Sequence, residues 1–450
     1  MKSIIISSNC SGGGKSTVTL ALMKALINRG YEVQGYKAGP DYIDTAFHSH
    51  ICKKPSRNLD LFMMGEQGVK MSYSKGSGDL GIVEGVMGLY DGLGYDSEYS
   101  TYDLSQRLGI PIILVITPKA QSNTICAELL GLLSYKNANI KGVILNNVTE
   151  GYYKLLRKMI EKNTTLKVFG YMPKDERISI GSRHLGLLQS CEIGDLDEKI
   201  NICANLLEKH VNINELLSFF KETENLDSKD IYNENTKKLL KIIHKPLRIA
   251  YAHDKAFSFY YKDNLELFES IGEVIKFSPL EDKKLPEDID FLYIGGGYPE
   301  VFSQGLSYNK DLLSDIKNKL DDGLPTYAEC GGLMYLTKGS KEYAMVGFFD
   351  GFYTMSDKLV NFGYAKLQVS EENHIFDKGL KINCHEFHKS YVQLSENAVY
   401  NLSKDYYEEN MNWKCGYIKN NVIASYAHIN FYGNIEFFNS LIKLAMKGRT

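Results

Sequence analysis

Residues 8–17 read SNCSGGGKST, a glycine-rich run that ends in Gly-Lys-Ser. A short β-branched run precedes it and a helical pattern follows it, which is the setting of a P-loop. Glycine N–H groups there can turn towards phosphate oxygens at a helix N-terminus, and a lysine can reach the outer phosphates. The motif predicts a site for ATP or GTP. The expected contacts come from Gly12, Gly13, Gly14, Lys15, Ser16 and Thr17.

Acidic side chains follow the next predicted strands. Asp41 and Asp44 lie in KAGPDYID at residues 37–44, and Glu84 opens the glycine-rich segment VEGVMGLYDG at residues 83–92. Mg²⁺ is usually held by one or two carboxylates together with phosphate oxygens. Any one of these acids alone could be a solvated loop residue or a helix N-cap. Together with Ser16 they predict a magnesium site.

A second set of reactive residues occurs in the C-terminal half. GGGYPE at residues 295–300 follows an apolar run, and a later run ends in ECGGL at residues 329–333. Cys330 between strand and helix is typical of a nucleophile elbow, where the helix N-terminus favours the thiolate. Backbone N–H groups of Gly296, Gly297 and Gly331 would form an oxyanion hole. Without these glycines, a buried and inert cysteine would be the simpler interpretation.

The candidate base is His428, which ends the apolar run before SYAHIN at residues 425–430. A Cys330–His428 pair is sufficient for acyl transfer. The segment CHEFHKS at residues 384–390 also concentrates polar side chains, but its spacing matches no zinc signature. We therefore expect it to bind a polar substrate rather than a metal.

These residues need two scaffolds to position them. The first half alternates short β-branched runs with helical patterns, which predicts a parallel sheet covered on both faces. Residues 221–246 turn polar and charged, and a second alternating pattern begins at residue 247. The sequence therefore predicts two α/β domains, over residues 1–220 and 247–450, joined by a linker over 221–246.

Composition limits the classes of partner. The chain has 450 residues and a formal net charge of -3. It therefore has no overall positive electrostatic potential that would attract nucleic acid or an anionic membrane. No stretch approaches the ~20 apolar residues of a membrane span. The eight cysteines form no CxxC pair, which favours free thiols in a reducing cytoplasm. Whether the protein forms a homodimer is left open.

The motifs together resemble the cobyrinate a,c-diamide synthase family over essentially the whole chain. Any one could arise by chance, but seven unlinked motifs occur in the family's order. They lie at residues 11–17, 39–44, 83–88, 182–187, 295–300, 328–336 and 385–390.

The resemblance implies an N-terminal domain like dethiobiotin synthetase, which phosphorylates a carboxylate of a cobyrinate-type tetrapyrrole with ATP and Mg²⁺. It also implies a C-terminal triad-type (class I) glutamine amidotransferase domain. Cys330 would attack L-glutamine, His428 would shuttle the proton, and ammonia would pass to an acyl phosphate formed near Lys15. Asn146 would contact the adenine base of ATP. Alternatively, it would only be a residue of the turn after a strand. Substrate contacts would come from Tyr42, Ile43, His385, Glu386 and His388.

Two positions depart from the family pattern. Asn430 stands where related amidotransferases carry a Glu two positions after the histidine, so His428 must be oriented in another way. The segment TPKAQ at residues 117–121 lacks the expected Asp and Arg. The alternatives are nickel-sirohydrochlorin and hydrogenobyrinate a,c-diamide synthases, cobyric acid synthase, and a partitioning-type switch ATPase, which would have no role for Cys330.

Overall fold

A computed structural model describes residues 1–178, 196–223, 231–406 and 410–447. The chain divides into two compact units, Met1–Leu61 with Glu66–Lys229, and Phe62–Gly65 with Asp230–Thr450. The border lies inside the segment 221–246 that we expected as a linker, and that segment contains a short strand and a helix. The motif at residues 182–187 lies outside the described residues.

The first unit alternates strands and helices. Its strands are β1 (Lys2–Ser8), β2 (Val33–Ala38), β3 (Arg57–Leu59), β4 (Leu80–Glu84), β5 (Ile112–Ile116), β6 (Ile140–Val148), β7 (Lys167–Pro173) and β8 (Lys221–Glu222). Its helices are α1 (Lys15–Asn28), α2 (Tyr42–Cys52), α3 (Leu61–Ser74), α4 (Thr101–Leu108), α5 (Thr124–Ser134), α6 (Glu150–Asn163), α7 (Leu196–His210) and α8 (Ile213–Leu217), with a 3-10 turn at Glu176–Ile178. Helix α3 is interrupted at Gly65 (φ 65°, ψ 173°), and its residues Phe62–Gly65 are counted with the second unit.

The strands of this unit form one sheet in the order β3-β2-β4-β1-β5-β6-β7, and β8 pairs with β1. All neighbours in that order are parallel, and β8 is antiparallel. Strand β5 is buried at every residue, as expected when helices cover both faces of a parallel sheet. Because β1, β4 and β2 are neighbours, the loops that follow them meet at one edge.

The second unit also contains helices and strands, and it has more strands than the first. Its helices are α9 (Glu234–Ile242), α10 (Lys262–Glu269), α11 (Ser303–Tyr308), α12 (Lys310–Asp321), α13 (Gly331–Leu336) and α14 (Ile435–Lys447). Its strands are β9 (Leu247–Ala252), β10 (Phe257–Phe259), β11 (Gly272–Phe277), β12 (Phe291–Ile294), β13 (Gly296–Gly297), β14 (Thr326–Glu329), β15 (Gly351–Val369), β16 (Lys381–Leu394), β17 (Ala398–Lys404), β18 (Met411–Lys419), β19 (Val422–Ser425) and β20 (His428–Ile429).

Ten of these strands form a mixed sheet in the order β11-β9-β12-β14-β19-β18-β17-β15-β16-β20, and β10 pairs with β13. The five strands from β11 to β19 are parallel, and the remaining pairs are antiparallel. Both units are therefore α/β, as the sequence predicted. In the part of the chain that the structure describes, no helix is long and apolar enough to cross a membrane, and seven cysteines are free thiols.

Candidate functional site

The phosphate loop joins β1 to α1 in the first unit. Gly14 precedes the helix with φ 90°, a conformation that favours glycine. A Cβ at Gly14 would stand 2.2 Å from Nδ2 of Asn146, so that amide packs directly on the loop. Asn146 Nδ2 donates to Thr117 Oγ1 (2.9 Å), and Thr117 donates to the Gly13 carbonyl (3.0 Å). Asn146 therefore supports the loop, and residue 117 supplies a contact from the segment that departs from the family pattern.

The side chains at the start of α1 point towards the ends of β1 and β4. Lys15 Nζ donates to the carbonyl oxygens of Cys10 (3.0 Å) and Met87 (2.5 Å). Burial lowers the pKa of Lys15, and the nearby charge of Lys37 lowers it further. Ser16 Oγ donates to Glu84 Oε1 (2.6 Å), while Thr17 is half-buried in the first turn.

A buried charged cluster, formed by Lys37, Asp44, Glu84 and His48, lies next to the start of α1. Lys37 Nζ is 2.7 Å from Asp44 Oδ2 and 3.2 Å from Glu84 Oε1, and it donates to the Gly85 carbonyl (3.0 Å). Burial alone would lower the pKa of Lys37, but the two carboxylates outweigh it and raise the pKa above its usual value. His48 Nε2 lies 2.8 Å from Glu84 Oε2. Sequence reasoning missed Lys37 and His48, although Lys37 opens the motif that contains Asp44.

The predicted magnesium ligands have different partners in the structure: Asp44 pairs with Lys37, and Ser16 contacts Glu84. Asp41 caps α2 and accepts from the N–H groups of Ile43 (2.8 Å) and Asp44 (3.1 Å). Among the described residues, no three His, Cys, Asp or Glu side chains are grouped to hold a metal. Mg²⁺ needs fewer protein ligands when phosphates and waters complete its shell, and the adjacent oxygens of Ser16 and Glu84 fit that donor set.

The two residues expected to contact the substrate in this unit, Tyr42 and Ile43, form the first turn of α2. Tyr42 is half-buried, whereas Ile43 is 9% exposed and belongs to the buried face of the helix. Ile43 therefore offers little side-chain surface to a substrate.

Cys330 follows β14 in a strained turn. Its backbone has φ 49° and ψ -103°, its N–H donates to the Ser425 carbonyl (2.7 Å), and α13 begins at the next residue. Burial raises the pKa of the Cys330 thiol, the Glu300 carboxylate raises it further, and the N–H of Gly331 only partly opposes them. The N–H at the start of α13 therefore favours the thiolate, as expected from the sequence, but burial has the larger effect on the pKa.

The predicted oxyanion-hole glycines come together beside this turn. A Cβ at Gly331 would lie 3.2 Å from the backbone nitrogen of Gly297, and one at Gly296 would lie 2.5 Å from Cε1 of His428. Gly297 has φ 157°, and a Cβ there would stand 2.0 Å from the Ala256 carbonyl oxygen. The three positions therefore exclude larger side chains and keep the Gly297 backbone nitrogen close to Gly331.

His428 is 1% exposed and lies on β20. Its Nδ1 stands 3.6 Å from Oε2 of Glu329, the residue immediately before Cys330. The side-chain oxygen of Asn430 instead accepts a backbone N–H two residues further on (3.0 Å). Sequence reasoning missed Glu329, although its position next to the candidate nucleophile was a usable signal.

The polar cluster of residues 384–390 lies on β16 in the same unit. Glu386 Oε1 accepts from Trp413 Nε1 (3.2 Å), and Glu386 Oε2 lies 3.2 Å from His388 Nε2. His385 pairs with His428 across β16 and β20, and burial, followed by the nearby His428, lowers the pKa of His385 to about 3. These three side chains are buried, and Cys330 Sγ lies 4.0 Å from the backbone carbonyl of Phe387 between them. This part of β16 therefore lies next to the cysteine.

A phosphate loop on a parallel sheet and a cysteine elbow on a second α/β unit define a glutamine-using amidating ligase. The matches with known proteins agree with that class. The CobQ/CobB/MinD/ParA nucleotide binding domain matches residues 4–187, and the CobB/CobQ-like glutamine amidotransferase domain matches residues 248–435.

Two curated relatives extend the match to nearly the full chain. The cobyrinate a,c-diamide synthase of Clostridium acetobutylicum is 58% identical and that of Clostridium tetani is 57% identical. Each alignment covers 98% of this chain and 100% of the relative. The chain belongs to the cobyrinate a,c-diamide synthase family.

Among solved structures, the MinD cell division protein of Aquifex aeolicus is 16% identical with a TM-score of 0.32. It covers 46% of this chain and 98% of its own. PurLQS of Thermotoga maritima is 16% identical with a TM-score of 0.35, over 46% of this chain and 100% of its own.

Proposed function

We propose that this chain amidates the a and c carboxylate side chains of cobyrinate in cobalamin biosynthesis, using ATP and L-glutamine. The observation that carries the proposal is the presence of two reactive centres in one chain. The first unit holds a phosphate loop with Lys15, and the second places Cys330 beside glycine N–H groups and a buried histidine. The names of the relatives supply the macrocycle.

Glutamine hydrolysis begins when His428 takes the proton of Cys330 as the sulfur attacks the carboxamide carbon. The N–H groups of Gly297 and Gly331 stabilise the tetrahedral oxyanion, because their backbones converge beside the nucleophile. His428 returns the proton to the leaving nitrogen, and ammonia departs. Water then hydrolyses the thioester to glutamate. Burial and the Glu300 carboxylate raise the pKa of Cys330, and a base that accepts its proton therefore assists the attack.

The ammonia is used at an activated carboxylate. A carboxylate is a poor electrophile because of its charge, so its oxygen first attacks the γ-phosphorus of ATP, which gives an acyl phosphate and ADP. Lys15 balances charge on the phosphates, and the phosphate loop fixes their position. We propose that Ser16 and Glu84 hold Mg²⁺, which would supply further positive charge there. Ammonia then attacks the acyl carbon, and inorganic phosphate leaves.

The test measures ADP and glutamate release with ATP, Mg²⁺, glutamine and cobyrinate for the wild type and Cys330→Ala. Ammonium then replaces glutamine in a parallel series. The variant should lose amidation from glutamine and keep amidation from ammonium. Normal amidation from glutamine by Cys330→Ala would contradict the proposal. Assays with nickel-sirohydrochlorin and hydrogenobyrinate beside cobyrinate identify the macrocycle.

A further inference from the structure

Glu329 is a carboxylate that is buried from solvent. It is the last residue of β14 and 0% exposed, and its Oε2 lies 3.6 Å from Nδ1 of His428. Within the described ranges, His428 is the one group able to become positively charged within 4.0 Å of this carboxylate. An ionised carboxylate is retained in such a place only when hydrogen bonds and a partner charge compensate it.

Three donors fix the orientation of Glu329. Its Oε1 accepts from Tyr327 Oη (2.5 Å) and from the backbone N–H of Ile429 (3.3 Å), and its Oε2 accepts from Tyr293 Oη (3.2 Å). Burial raises the pKa of Tyr327 and Tyr293 well above the usual value, and the charge of Glu329 adds to this. Both hydroxyls therefore remain donors, and Oε2 stays directed at His428.

The backbone on the other side of the pair is fixed as well. Asn264 is buried, and its Nδ2 donates to the Ile429 carbonyl (2.7 Å) while its Oδ1 accepts from the Phe431 N–H (2.9 Å). The Cε1–Nε2 edge of the ring faces Gly296, where a Cβ would stand 2.5 Å from Cε1 and 3.4 Å from Nε2 of His428. The imidazole therefore presents Nδ1 to Glu329 and its Cε1–Nε2 edge to the glycine turn.

We infer that Glu329 is the positioning residue of His428, taking the place of the acid that the family pattern puts at position 430. The carboxylate holds the tautomer in which Nδ1 carries the proton, so Nε2 carries the lone pair that accepts the proton of Cys330. It also stabilises the imidazolium formed at that moment. The inference rests on the proposed function, since it assigns a role within glutamine hydrolysis.

Glu329→Gln tests the charge with little change of shape. Its amide oxygen can still accept from Tyr327 and Ile429, but its NH₂ would face Nδ1 of His428 and favour the opposite tautomer. We expect kcat for glutamine hydrolysis to fall by about 10²–10⁴-fold, as carboxylate-to-amide changes do in such triads, with KM for glutamine little changed. Ammonium-driven amidation should be unchanged.

Tyr327→Phe is the matched control. It removes one hydrogen bond to Glu329 and keeps the carboxylate, so kcat should stay within about tenfold of the wild type. Equal losses in both variants, or a Glu329→Gln enzyme within about tenfold of wild-type kcat, would overturn the inference. A wild type that releases no glutamate from glutamine contradicts the proposed function instead.

A measurement on the wild type does not depend on the folding of a variant. Nitrogen NMR of protein with ¹⁵N-labelled histidine, assigned by comparison with His428→Gln, reports the tautomer of the neutral ring. We expect the proton on Nδ1 of His428. A proton on Nε2 would refute the positioning role of Glu329 and would leave the amidation assay unaffected.

Discussion

Replacement of Lys37 by methionine tests the buried charged cluster of the first unit. Lys37, Asp44 and Glu84 expose only 5%, 4% and 1% of their side chains. Methionine fills a similar volume but removes the cation that both carboxylates share. The resulting variant retains two negative charges in a site with little water.

The size of the effect follows from that burial. Removal of one partner from a buried ion pair destabilises a protein by about 3–5 kcal/mol. For a unit of this size, such a loss lowers Tm by about 6–20 °C. The two salt bridges are direct contacts of 2.7 and 3.2 Å between buried side chains. Because water and salt have little access to them, solvent screening does not reduce this loss of stability much.

The assay is thermal unfolding of the wild type, Lys37→Met, Glu84→Gln and the double variant. If charge is the cause, the double variant should be more stable than Lys37→Met alone, because Glu84→Gln removes one of the two remaining charges. A fall in Tm of less than about 3 °C for Lys37→Met would refute the reasoning, since it corresponds to roughly 1 kcal/mol. Additive losses in the double variant would do the same.

Two further predictions concern one glycine and one acid. Gly14→Ala should abolish measurable ATP binding in a titration, because the new Cβ would lie 2.2 Å from Asn146, whereas Gly12→Ala meets no atom within 4 Å and should retain binding at reduced strength. Burial raises the pKa of Glu300 to about 7. The ionised Glu300 carboxylate raises the pKa of Cys330, so Glu300 should slow the reaction of Cys330 with iodoacetamide only at a pH where Glu300 is ionised. Glu300→Gln should therefore react faster than the wild type above pH 7, with the ratio falling to one below it; a ratio independent of pH would contradict this.

The sequence predicted those parts of the structure that are encoded locally. The phosphate loop is a single run from residue 8 to residue 17, and the cysteine elbow is a run of five residues. The alternation of strands and helices predicted both α/β units because a continuous apolar run such as Ile112–Ile116 needs cover on both faces. Family order among the motifs indicated the class of enzyme.

The remaining parts depend on pairing between distant strands. Lys37 meets Glu84 because β2 and β4 pair in a register that places these two residues opposite each other. Glu329 comes close to His428 because β14 pairs with β19 in a register that places Glu329 opposite Ser425, three residues before His428. Neither register can be read from a motif. The raised pKa of Cys330 could not be predicted from the motif for a related reason, since burial depends on the whole packed unit.

The backbone at Cys330 also bears on the folding stability of the second unit. A non-glycine residue at φ 49° and ψ -103° lies outside the main allowed regions, and such strain costs about 1–3 kcal/mol. Glycine at position 330 would relieve much of it while removing the nucleophile. In this chain the nucleophile is therefore retained at a cost in folding stability, and the residue that the backbone conformation favours at position 330 is not the residue that the chemistry needs.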